Sequence, residues 1–100
     1  MRARNYDTRL SKASFEQLIS NPAQDSVSLP CNALLKAVPK GAAFPYDGFT
    51  ISGQSEPYTF TAQDNHIEFY GEANQVINLV DCELYIHAGL GSWELIGVNG

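Results

Sequence analysis

The sequence predicts an all-β fold: an antiparallel β-sandwich or small barrel with an N-terminal arm and one short helix. Three observations predict it. Short runs rich in β-branched and aromatic residues follow one another through residues 49–98, and such residues suit a pleated, half-buried surface. Turn-forming residues close the runs, at 53–57, 63–65, 71–74 and 88–91. Within the runs, apolar and polar residues alternate with a period of two. One hundred residues make one domain. Its parts divide as an arm with a helix at 1–26 and a β-body at 27–100.

Taken in order, residues 1–10 have no periodicity and read as an extended arm carrying Arg2, Arg4 and Arg9. Ser14-Phe15-Glu16-Gln17 has capping-box spacing, with Ser11 as the alternative cap. Phe15, Leu18 and Ile19 then share one helical face, and Asn21-Pro22 ends the helix. About two turns of helix do not stand alone in water. That face therefore docks, either on this chain's own sheet or on a neighbour. Residues 23–26 read as a polar linker, and Val27-Ser28-Leu29 as a short strand stopped by Pro30.

The run Ala33-Leu34-Leu35-Lys36-Ala37-Val38 has the composition of a helix but the length and flanking prolines of a strand, and strand is the expectation. Residues 39–48 form the longest irregular stretch. Pro45-Tyr46-Asp47-Gly48 there has turn chemistry. Phe44 and Tyr46 stand out: aromatics on a loop form either a binding surface or a lid tucked onto the core.

Strands are expected next at 49–52, 58–62, 66–70, 76–80, 82–86 and 92–98. Tyr58, Phe60 and Ala62 share one face. Ile67 and Phe69 point inward, as do Cys82, Leu84 and Ile86. His66, Glu68 and Tyr70 point outward, as do Glu83, Tyr85 and His87. Val76–Val80 is apolar on both faces except at Asn78, as in a central strand, and Asp81 marks a bulge or bend.

Charge is strongly partitioned. All six Lys and Arg lie in residues 1–40 against three acids, a net +3, whereas residues 41–100 carry eight acids and no Lys or Arg, a net −8; together these give the −5 of the chain. The basic arm thus has a natural partner in an acidic body, its own or a neighbouring copy's. A body without cations also argues against nucleic acid as a partner of the sheet. No apolar run approaches the length of a membrane span. The basic start is followed by no apolar stretch of a secretory signal. The chain is therefore expected on the cytosolic side unless released by lysis or export of an assembly. Cys31 and Cys82 match no zinc spacing and are expected as buried thiols.

No constellation for catalysis or cofactor binding stands out. Gly89-Leu90-Gly91 lacks the third glycine of a dinucleotide loop. Cys82 and His87 are an odd number of positions apart, hence on opposite strand faces. His66 and His87 with Glu68 or Glu83 form no recognised metal spacing. The expectation is a protein that is no enzyme and needs no cofactor or metal. Outward Glu68, Tyr70, Glu83 and Tyr85 form an aromatic–acidic set suited to a sugar or a protein, or serving simply as cross-strand pairs.

The ending Gly91-Ser92-Trp93-Glu94-Leu95-Ile96-Gly97 resembles the closing strand of small β-sandwich structural proteins of bacteriophage virions. The resemblance implies a capsid decoration, cement or neck component, located in the virion and made in the host cytoplasm. Its partners would be other virion proteins and copies of itself, as a homo-oligomer for which a trimer is expected. Contacts would run through Arg2, Arg4, Arg9, Phe15, Leu18, Ile19, Phe44 and Tyr46. Two readings of other classes compete with it: an acidic inhibitor or binding module that occupies a basic partner surface, and a carbohydrate-binding sandwich using Trp93, Tyr70 and Tyr85.

Overall fold

The computed structural model describes residues 16–41, 43–87 and 92–99. Residues 16–20 are helical, and the Asn21 amide closes the last turn onto the Gln17 carbonyl at 2.9 Å. Ser20 adds an Oγ bond to the Glu16 carbonyl at 2.7 Å. Both caps considered for the helix, Ser11 and Ser14, lie outside the described residues.

Among the described residues nine strands follow: β1 (Ala23–Gln24), β2 (Ser26–Ser28), β3 (Ala33–Pro39), β4 (Tyr46–Ile51), β5 (Tyr58–Phe60), β6 (Ile67–Gly71), β7 (Val76–Leu79), β8 (Cys82–His87) and β9 (Trp93–Asn99). They form two sheets, in the orders β1-β9-β8-β3-β6 and β2-β7-β4-β5. The all-β sandwich predicted from the sequence is the fold observed. The ambiguous run at 33–38 is a strand, and its odd positions alternate into the core.

The pairing is nested. β4 pairs with β5, β3 with β6 and β2 with β7, all antiparallel. This is the pattern of one long hairpin wound upon itself, which makes the sandwich a jelly roll. β3 with β8 and β4 with β7 are the contacts made by the winding. In place of a direct β1–β8 pair, β9 is inserted between the two strands. Being antiparallel to β8, β9 runs parallel to β1, the one parallel pair among the described strands.

Two sequence expectations change. Residues 23–26 are not a linker: Ala23 pairs with Gly97 and Ser26 with Asn78. Strand pairing thus begins at Ala23, inside the segment expected to precede the body. Asp25, at φ 71°, turns the chain from one sheet to the other. Its carboxylate accepts a 2.7 Å bond from Asn99 Nδ2. Second, Tyr46, Asp47 and Gly48 form not a turn but the start of β4, after a cis Phe44–Pro45 bond. Gly48 is the extra residue of a bulge, since Asp47 faces Thr59 and Phe49 faces Tyr58.

The core lies between the sheets and is wholly apolar, with Val27, Leu35, Ala37, Phe60, Ile77, Cys82, Leu84 and Ile96 fully covered. One end of it is aromatic. Phe49 stacks on Phe69 of the opposite sheet at 4.6 Å and on Tyr58 at 4.5 Å. Phe60 continues the cluster to Tyr46, and Tyr46 to Phe44. The expected bend at Asp81 is present, at φ 47°, where the chain passes from β7 in one sheet to β8 in the other.

Candidate interaction surface

Alternation along β3, β6 and β8 sends every second side chain to the outer face of the five-stranded sheet. Residues directly opposite in an antiparallel pair stand side by side on one face. The registers therefore order this face into rows. Glu68, Lys36, Tyr85 and Leu95 form the middle row. Val38, Glu83 and Val98 flank it on one side. On the other side Leu34 stands beside Tyr70, and His87 beside Trp93.

Most of these side chains are half-buried, with Tyr70 and Glu68 exposed. The face combines aromatic and aliphatic residues with three charged ones, Glu68 and Glu83 with Lys36 between them. Aromatic side chains are enriched where proteins meet, whereas Lys and Glu are depleted there, so the face combines both characters.

Lys36 organises the centre. Its Nζ lies 4.6 Å from the centre of the Trp93 ring and 5.3 Å from that of Tyr85, so the ammonium is shared by two π faces. Tyr85 donates its hydroxyl to Glu83 Oε1 at 3.1 Å. Burial, and then this bond to a carboxylate, raise the Tyr85 pKa. His87 meets Trp93 edge-on at 5.0 Å. His66 Nε2 lies 3.0 Å from Glu68 Oε2, both side chains being well exposed.

Of the interaction residues expected from the sequence, Arg2, Arg4, Arg9 and Phe15 lie outside the described residues. Leu18 and Ile19 are half-buried against this chain's own core. Phe44 and Tyr46 are half-buried against it as well. The Tyr46 hydroxyl donates to the Asp81 carbonyl at 2.7 Å and accepts from the Gly41 amide at 3.1 Å. These two rings act as a lid on the aromatic end of the core. The outward set Glu68, Tyr70, Glu83 and Tyr85 is on one face, as expected. In the sequence Lys36, at the centre of that face, stands out by its charge alone. Reading its run as a strand already places it outward, between Leu34 and Val38.

Cys82 and His87 are on opposite sides of β8. The Cys82 thiol is buried and donates to the Gly48 carbonyl at 2.8 Å. Burial pushes its pKa up to about 11, with Asp81 and Glu83 adding to the rise and a bond from the Val80 backbone opposing it. It is thus a protonated, structural thiol at neutral pH. Cys31 is buried too. No group of three or more His, Cys, Asp or Glu that could hold a metal occurs among the described residues. Nor is any helix among them long and apolar enough to cross a membrane.

The fold and this face define the class as a jelly-roll β-sandwich whose five-stranded sheet has an outer face of mixed aromatic, aliphatic and charged side chains. Comparison with protein families, with curated proteins and with solved structures finds no match to the chain.

Proposed function

We propose that this chain is a non-enzymatic structural protein of a phage-like particle, a decoration, cement or neck component that holds to neighbouring copies through its N-terminal segment and its β-body. The observation that carries the reading is the nested pairing β2–β7, β3–β6 and β4–β5, the jelly-roll winding that recurs in viral capsid domains. It supports the reading by architectural analogy, since a fold hosts many functions. The aromatic and aliphatic side chains on the outer face of the five-stranded sheet support it as well, by offering a surface for association. A closed homo-oligomer, with a trimer as the expectation, suits such a unit.

Jelly rolls also serve as lectins. Here the ammonium of Lys36 lies over the Trp93 ring, so a sugar stacking on that side has to displace it. That arrangement favours the assembly reading over the carbohydrate one.

The test is solution mass by light scattering after gel filtration, at low and high salt. A homo-oligomer that loosens as salt rises is the expected result, because the charge partition of the chain makes association salt-sensitive. A monomer at both salts overturns the self-association on which the reading depends.

A further inference from the structure

The described residues carry two lysines, Lys36 and Lys40, against ten carboxylates, a net −8. Residues 1–15 carry Arg2, Arg4, Arg9 and Lys12 against Asp7 alone, a net +3. Between the arginines and lysine of that segment stand Tyr6 and Leu10, and Phe15 ends it. The segment is therefore both basic and interspersed with large apolar side chains. The outer face of the five-stranded sheet likewise mixes apolar and charged side chains, with Lys36 offsetting one of its two carboxylates to leave a net −1. Leu34, Val38, Leu95 and Val98 are apolar, and Glu68 and Glu83 stand in neighbouring rows on either side of the β3–β8 seam.

We infer that this face is the docking surface for the basic N-terminal segment, residues 1–15, of a second copy of the chain. Dimensions fit. From β6 to β9 the face is four strands wide, about 15 Å at the usual strand spacing. Fifteen residues reach up to about 50 Å when extended, enough to leave one subunit and cross the face of the next. Arg side chains suit the carboxylates of Glu68 and Glu83 geometrically, because a planar guanidinium bonds a carboxylate with two parallel donors. Each of those carboxylates keeps acceptor capacity beyond its bond to His66 or Tyr85. Lys36 is held over Trp93 and Tyr85, so the cation of the face itself is turned toward the rings. The inference rests on the self-association proposed above and names the surface and segment that produce it.

A charge swap in full-length protein tests it. One variant carries Arg2→Glu, Arg4→Glu, Arg9→Glu and Lys12→Glu. The other carries Glu68→Arg and Glu83→Arg, with Glu68→Gln and Glu83→Gln as a milder pair should reversal beside Lys36 impair folding. Circular dichroism checks that each is folded, and light scattering at low salt gives its mass. The expected result is that each reversed variant alone is monomeric, while an equimolar mixture forms a hetero-oligomer, because every segment then meets a face of opposite sign in trans. The Gln pair should lose most of the salt dependence of wild-type association. Reversed variants that associate like the wild type overturn the inference and leave the structural reading standing. Two monomeric variants whose mixture also stays monomeric overturn docking between copies. A monomeric wild type overturns both the inference and the reading beneath it.

Discussion

Gly48 lies against the ring of Phe60 so closely that a Cβ built on it falls 2.0 Å from one ring carbon and 2.1 Å from the next. Phe60 is fully buried and contacts the rings of Phe49 and Tyr46, so it has no room to withdraw. The same glycine accepts the Val80 amide and the Cys82 thiol on its carbonyl, both at 2.8 Å. The bulge thus brings backbone and aromatic core into direct contact. Gly48→Ala should destabilise the protein by about 1–3 kcal/mol, the usual cost of overfilling a core. Urea unfolding measures it. In a double-mutant cycle with Phe60→Leu, the alanine should cost markedly less, since the obstructing ring is gone. Strict additivity of the two changes would sink this account.

Tyr46 spans 35 positions of sequence to bond the Asp81 carbonyl. That oxygen also accepts the amides of Lys40 at 2.7 Å and Gly41 at 3.3 Å. It therefore ties the loop before β4 to the bend between the sheets. Tyr46→Phe keeps the ring contacts and deletes only the hydroxyl. The expected loss is about 1 kcal/mol, typical of one hydrogen bond in a half-buried site. Thermal unfolding of the variant against wild type reads it, and an unchanged midpoint would show that the hydroxyl adds nothing.

Much of the architecture was legible because it is written in local alternation. The inward set Cys82, Leu84 and Ile86, and the outward set Glu83, Tyr85 and His87, follow from a period of two alone. Proline spacing was enough to prefer strand over helix for β3. What escaped reading depends on partners far away in sequence. β1 has two residues and no pattern of its own, and it is a strand only because β9 offers it an edge. Pro45-Tyr46-Asp47-Gly48 carries turn chemistry, yet Tyr46 and Asp47 pair along β5, opposite Phe60 and Thr59, and Gly48 bulges beside them.

The same limit applies to the outer face. Its aromatic and acidic members were readable as outward. The meeting of Lys36 with Trp93 was not, because it needs β8 to lie between β3 and β9. Register across three strands is a tertiary fact, which propensity does not encode.

Asn74 sits in the loop between β6 and β7 at φ 72°, in the left-handed region where a Cβ clashes with the backbone. Asparagine tolerates that region better than alanine does, and glycine best of all. Its amide donates to the Leu29 carbonyl at 2.9 Å, which fixes the conformation. Asn74→Ala should therefore cost about 1 kcal/mol, and Asn74→Gly close to nothing. Equal losses for the two, measured by denaturant midpoint, would mean that backbone strain is not the operative factor.

Cys82 gives the fold a dependence on alkaline pH. In the folded protein its thiol pKa is pushed from 9.0 to about 11, chiefly because burial disfavours the thiolate. Between those values the unfolded chain has released the proton while the folded chain still holds it. Fewer protons bound in the unfolded state means that stability falls as pH rises. The contribution is complete below about pH 9 and is lost progressively toward pH 11. Over that window the loss is on the order of 2–3 kcal/mol, from two pKa units at about 1.4 kcal/mol each. Tyr85 shifts in the same direction, so part of any slope belongs to its phenol. Cys82→Ala separates the two, because it removes the thiol and leaves Tyr85 bonded to Glu83. Unfolding free energy measured from pH 8 to pH 11 should fall clearly less steeply in the variant than in wild type. Parallel curves would mean that the thiol ionises as readily inside the fold as outside it, which is incompatible with a fully covered Sγ bonded to the Gly48 carbonyl.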